Sequence, residues 1–103
     1  MFIKGTMIVE RVTNNRTPYL ALKDVCEDDV IQFTFNTDPD YTKRRCVLRA
    51  YTSEIGATRK YTLIGELDIK FDQFCQRFVD YDQFQQLSPK EQSKVDFIVK
   101  CVV

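Results

Sequence analysis

Histidine and tryptophan are absent from this 103-residue chain, and glycine and proline occur three times each. Without histidine the commonest general acid–base is missing, and no Gly-x-Ser-x-Gly elbow, Walker-type phosphate loop or Cys–His combination takes its place. A non-enzymatic protein is therefore expected. The four cysteines, Cys26, Cys46, Cys75 and Cys101, stand far apart with no Cys-x-x-Cys pair, so a structural zinc site lacks its close ligand pairs. Neither metal nor cofactor is expected. No run approaches the ~20 apolar residues that span a bilayer, and the alternating start, with Lys4, Glu10 and Arg11, is unlike a secretory signal. These absences lead to the expectation of a cytoplasmic chain with reduced thiols, Cys46 and Cys101 serving as small buried hydrophobes at the inward phase of strands. An excess of one charge is lacking too: fifteen basic and fifteen acidic residues cancel, leaving no global field to attract nucleic acid or an anionic bilayer.

What is present is a series of short segments with strand periodicity. Thr6 to Thr13 reads as a strand ended by the turn residues Asn14-Asn15-Arg16-Thr17-Pro18, and Tyr19 to Val25 as a second strand with Leu20 and Leu22 on one face. The acidic trio Glu27, Asp28 and Asp29 marks a loop. Val30 to Phe35 then sets Ile31, Phe33 and Phe35 on one buried face, and Asp38-Pro39-Asp40 makes a turn. From Arg44 to Thr52, Cys46, Leu48 and Ala50 alternate with Arg45, Val47, Arg49 and Tyr51. One side reads as buried, the other as basic. After a loop from Ser53 to Lys60 hinged at Gly56, Tyr61 to Phe71 forms a strand with Leu63, Leu67, Ile69 and Phe71 together and Glu66, Asp68 and Lys70 opposite. Gly65 falls in the buried row, where a missing side chain predicts close approach of another backbone.

The period then changes. Phe71, Phe74, Cys75, Phe78 and Tyr81 recur at helical spacing, and Ser88-Pro89-Lys90-Glu91 has the pattern of an N-cap, a first-turn proline and a capping glutamate. Strict alternation resumes at Val95, Phe97, Val99, Cys101 and Val103. The expected fold is a single all-β domain over residues 1–103, mainly an antiparallel β-sandwich, with one short helix before the C-terminal strand.

Val30-Ile31-Gln32-Phe33-Thr34-Phe35, Cys46-Val47-Leu48-Arg49-Ala50-Tyr51 and Leu63-Ile64-Gly65-Glu66-Leu67-Asp68-Ile69, followed by a helical connection and a final alternating strand, resemble consecutive strands of a C2 domain. The resemblance covers residues 30–103. Calcium-binding members end the middle strand in Asp-x-Asp, whereas Thr52 and Glu54 stand here, so the resemblance implies a calcium-independent member. Such members dock onto proteins or onto phosphoinositide headgroups. The N-terminal third is short for that family, as if a strand were missing or supplied by another chain.

Two surfaces are candidates for binding. The basic strip of Lys43, Arg44, Arg45 and Arg49, interleaved with Val47 and Tyr51, offers guanidinium forks for phosphates or carboxylates, and Arg59 and Lys60 beside Tyr61 and Leu63 offer a second contact at a loop tip, or else an ordinary polar loop. The strip's plain alternative is a solvated face neutralised by nearby acids. The aromatic helix, with Phe74, Phe78 and Tyr81, offers an apolar anchor, or else packs on the core. Ile98 and Val102 point away from the main core row and extend the suspected contact. The carboxylates Glu27, Asp28, Asp29, Asp38 and Asp40 read as turn residues ahead of a cation site. The leading expectation is a protein-interaction module with a protein partner. The alternatives are a calcium-independent binder of phosphoinositides on an anionic membrane surface, and a small nucleic-acid binder or viral or phage-like inhibitor, with nucleic acid disfavoured as partner.

Overall fold

The period-two segments hydrogen-bond into one sheet, and the breaks in period become short helices. The computed structural model describes residues 2–13, 17–54 and 60–102. Strands β1 (Phe2–Val12), β2 (Val30–Asn36), β3 (Arg45–Glu54), β4 (Lys60–Lys70), β5 (Phe78–Val79) and β6 (Phe97–Val102) form a six-stranded, curled sheet in the order β4-β3-β2-β1-β6-β5. Every pairing is antiparallel except β5 with β6. The fold is thus β-rich, with its described strands in one continuous hydrogen-bonded sheet. The expected turn at Asn14-Asn15-Arg16, the Gly56 hinge, Arg59 and Val103 lie outside the described residues.

Register explains the core. Ile3, Phe35, Cys46 and Ile69 lie in one cross-sheet row; Gly5, Phe33, Leu48 and Leu67 in the next; Cys101, Met7, Ile31, Ala50 and Gly65 in a third. Met7, Ile31, Cys46, Leu48 and Ala50 are buried there with Val9, Phe97 and Val99. This is the inward phase expected of β2 and β3. Cys101 departs from expectation: it is exposed, because its end of β6 borders a groove rather than the packed centre.

Beyond Gly65 the phase of β4 flips. Ala50 pairs with Gly65 but Tyr51 pairs with Leu63, which leaves Ile64 as the extra residue of a bulge. Leu63 therefore stands with Tyr51 on the other face and is 52% exposed, whereas the sequence places it with Leu67 and Ile69. Ile64 packs against the core instead.

Residues 19–25 are not a strand. Leu20–Leu22 form a 3-10 turn, which rotates neighbouring side chains apart instead of alternating them. Leu22 is buried and Leu20 is 77% exposed. The turn lies against β4, where the carbonyl oxygen of Ala21 would be 2.3 Å from a Cβ at position 65. That is the close backbone approach for which Gly65 is needed. Further along, Asp29 accepts from the Cys26 N–H (2.8 Å), and Asp28 adopts a left-handed φ of 72°, a conformation that Asp tolerates better than most residues.

The aromatic segment divides in three. Helix α1 (Phe71–Arg77) ends where Phe78 and Val79 enter β5, and helix α2 (Tyr81–Gln86) starts at the cap Asp80. Phe78 therefore belongs to a buried strand and Tyr81 to a new helix, in place of one continuous helical face. Helix α3 (Pro89–Gln92) has the capping box read from the sequence, with Ser88 accepting from the Glu91 N–H and Glu91 accepting from the Ser88 N–H. Ile98 is 1% exposed, which removes it from the contact surface. With Val79 and Val95 it is buried apart from the main cluster, near the region where α2 contacts β6.

Candidate functional site

The second face of the sheet carries its own cross-sheet rows. Lys4, Thr34, Val47 and Asp68 form one; Val102, Thr6, Gln32, Arg49 and Glu66 the next; Lys100, Ile8, Val30, Tyr51 and Leu63 a third. Where the third row meets Tyr61, a cleft of about 550 Å³ opens, lined by Thr6, Ile8, Val30, Gln32, Tyr51, Tyr61 and Val102. Tyr61 is 51% exposed and Val102 nearly as much. One end of this face is apolar and aromatic, the other charged.

Of the basic strip, Arg45 and Arg49 stand on β3 as the alternation predicts, whereas Lys43 ends a 3-10 turn (Tyr41–Lys43) and Arg44 precedes the strand; all four of these cations are engaged. Arg45 Nε donates to Asp68 Oδ1 at 3.0 Å and Arg49 Nε to Glu66 Oε2 at 2.9 Å. Arg49 and Glu66 face each other directly across β3 and β4, so the Glu66 carboxylate holds this guanidinium above its ordinary pKa. Lys43 lies 3.9 Å from Asp40. Arg44 Nε donates to the Asp38 carbonyl at 2.7 Å and its guanidinium sits over the Phe71 ring. The strip is thus a ladder of paired charges, with Tyr51 at its apolar end. Arg59 lies outside the described residues, and of Lys60 only the backbone, at the start of β4, is described.

The aromatic candidates separate. Phe74 packs against the core, in a chain of rings running Phe71, Phe74, Phe78, Phe97 with centroids 5.2–6.3 Å apart. Phe78 is 5% exposed, leaving it no surface to present. Tyr81 is exposed at the start of α2. Beside this ring chain, Ile3, Phe33, Phe35, Cys75 and Cys101 help line an apolar groove of about 370 Å³.

Two thiols near α1 are poor nucleophiles. The Cys46 thiol is pushed up to about 12, chiefly by burial, with Cys75 and Asp68 adding to the shift. Cys75 is raised as well, by partial burial first and Asp72 second. Both hold their protons at neutral pH. The folded Cys46 keeps its proton to higher pH than the unfolded chain, whose thiol ionises near 9.0, so its contribution to stability is complete below pH 9.0 and is lost as pH rises to about 12. Urea midpoints measured at pH values on either side of 9 are expected to show a steeper fall for the native chain than for Cys46→Ala. Equal falls would contradict this assignment.

Away from both surfaces, Asp96 is fully buried. It accepts from the Thr17 hydroxyl at 2.9 Å and lies 3.5 Å from Arg77 Nη1. The Arg77 guanidinium also lies over the Tyr19 ring, and Thr13 N–H donates to the Asp96 carbonyl. This network fastens the segment after β1 to β6, and its interior position marks it as structural. The carboxylates suspected as cation ligands act in turns: Asp38 Oδ1 accepts from the Asp40 N–H, and Asp40 Oδ1 from Thr42. Among the described residues no three Cys, Asp or Glu side chains gather as a metal site. Among them, too, no helix is long and apolar enough to cross a membrane.

Sequence reasoning misses Ile8 and Val30, and it names Tyr61 and Leu63 only as neighbours of the loop cations Arg59 and Lys60. The signal for Ile8 and Val30 is weak, since Ile8 is the middle of the apolar run Met7-Ile8-Val9 and Val30 starts the pair Val30-Ile31, and only register brings them beside Tyr51. No protein-family model, curated protein or solved structure matches this chain.

Proposed function

We propose that the chain is a non-enzymatic protein-interaction domain that docks a partner on the open face of its sheet. The observation that carries this reading is the cleft between Tyr51 and Tyr61, with Ile8, Val30 and Val102 on its walls and the Arg49–Glu66 and Arg45–Asp68 pairs beside it. An aromatic, dehydratable centre with a charged, hydrated border is the arrangement that concentrates binding energy at protein interfaces. The paired arginines supply orientation rather than affinity, since exposed ion pairs contribute little on their own. Tyr81 and the aromatic groove are secondary to this face, because Phe78 and Phe74 are committed to packing. The likeness of residues 30–103 to calcium-independent C2 domains, and with it a β-sandwich relation, belongs to the same proposal. Four free cysteines support a reducing, cytoplasmic setting.

Capture from lysate of the native source tests the reading. Tyr61→Asp and Leu63→Asp replace exposed side chains and are expected to leave stability within about 0.5 kcal/mol, yet each should lower partner retention by about tenfold, as for loss of an interface anchor. Leu20→Asp, on an exposed residue of the opposite side, should retain the partner. Undiminished capture by both open-face variants would contradict the proposal.

A further inference from the structure

The charges on the open face do not balance although those of the chain do. Around the cleft its rows carry Lys4, Arg45, Arg49, Lys70 and Lys100 against Glu66 and Asp68, while the exposed Glu10 and Arg11 further along β1 add one charge of each sign, on a chain of net charge zero. The Glu66 and Asp68 carboxylates are taken by the arginines. Lys4, Lys70 and Lys100 are exposed and have no ion pair among the described residues. Two of these lysines, Lys4 and Lys100, stand on the β1–β6 side of the cleft, in the rows that flank Thr6 and Val102.

We propose that the partner segment docked on this face is an extended acidic peptide, one apolar side chain entering the Tyr51–Tyr61 cleft and carboxylates lying over Lys100 and Lys4. This rests on the docking face proposed above and names the chemistry it selects. Lys100 and Tyr51 share a row and are separated by three strand spacings of about 4.8 Å, roughly 14 Å in all. An extended chain rising about 3.3 Å per residue covers that distance in roughly four residues. The expected pattern is thus an aromatic or aliphatic residue with Asp or Glu about four positions away. Carboxylate recognition is already present on this face, where Arg45 and Arg49 each hold one. A second copy of the chain stacked face to face is disfavoured, because it would oppose two surfaces with the same cationic excess.

A library of random peptides about ten residues long, displayed on phage and panned against the full chain, tests the proposal, because extended-segment recognition is read out as sequence. Enriched peptides should share the apolar-plus-acidic pattern. A fluorescein-labelled representative should bind about tenfold more weakly to Lys4→Glu/Lys100→Glu, and its binding to the native chain should also weaken when its carboxylates are replaced by amides. A single-stranded oligothymidylate and vesicles containing a phosphoinositide are measured alongside. Absence of enrichment, enrichment without acidic residues, insensitivity to charge reversal, or binding of the oligonucleotide or vesicles alone would each overturn it. Neutral apolar peptides that bind the native chain and are lost with Tyr61→Asp would overturn the acidic partner while keeping the docking face. Peptide binding that survives Tyr61→Asp would overturn both.

Discussion

Gly65→Ala is expected to lower folding stability by about 1–3 kcal/mol, and Gly65→Val by more, through overpacking against a backbone that has nowhere to move. The added Cβ would meet the Ala21 carbonyl oxygen at 2.3 Å and its carbon at 3.1 Å. A side chain could rotate away from such a contact; a peptide carbonyl cannot. Relief would require shifting the whole 3-10 turn, which is held by the buried Leu22 side chain and by the Leu22 N–H donating to the Tyr19 carbonyl. The opposing gain from replacing glycine in a strand is about 0.5–1 kcal/mol, too small to reverse the sign. Urea denaturation measures the difference. Gly65→Ala within about 0.5 kcal/mol of the native chain would show that the turn does not press on β4.

Asp96→Ala is expected to cost about 3 kcal/mol, the lower end of the 3–5 kcal/mol found when one partner of a buried ion pair is removed. The lower end applies because Arg77 keeps 20% of its side chain in solvent while Asp96 keeps none. Arg77 would be left as an inner cation whose Nε already lacks a hydrogen-bond partner among the described residues, and the Thr17 hydroxyl would lose its acceptor. The double replacement Arg77→Met/Asp96→Leu removes both charges together and should be more stable than Asp96→Ala alone. Additive losses in that cycle would contradict coupling between the two groups.

How far the sequence discloses the fold depends on whether a local pattern or a register decides each element. Five alternating residues suffice for β2 and β3, because both faces of each strand differ sharply in polarity. The Ser88–Glu91 box and the need for Gly65 are also local chemistry. Tyr19 to Val25 fails because two leucines two apart fit a strand or a single 3-10 turn equally well, and the decision belongs to the β4 backbone beneath it. Leu63 fails because one extra residue in β4 flips the phase, and nothing in its own composition marks the bulge. The helical spacing from Phe71 to Tyr81 is real at Phe71, Phe74 and Cys75, but the parallel pairing of Phe78 and Val79 with β6 overrides it.

The candidate site divides along the same line. The basic strip is legible from alternation in β3, whereas its neutralisation depends on Glu66 and Asp68 arriving opposite from β4. Tyr51 is legible on that strand; the cleft is not, since its other walls come from β1, β2, β4 and β6.

Hydroxyl-radical footprinting of the chain alone and in complex with its captured partner tests the central claim most directly, because it reports which side chains the partner covers. Protection concentrated at Tyr51, Tyr61 and Leu63, with Leu20 and Tyr81 as reactive as in the free chain, is the result that docking on the open face predicts. Protection at Tyr81 and the groove beside Phe71, with Tyr61 and Leu63 unchanged, would contradict it.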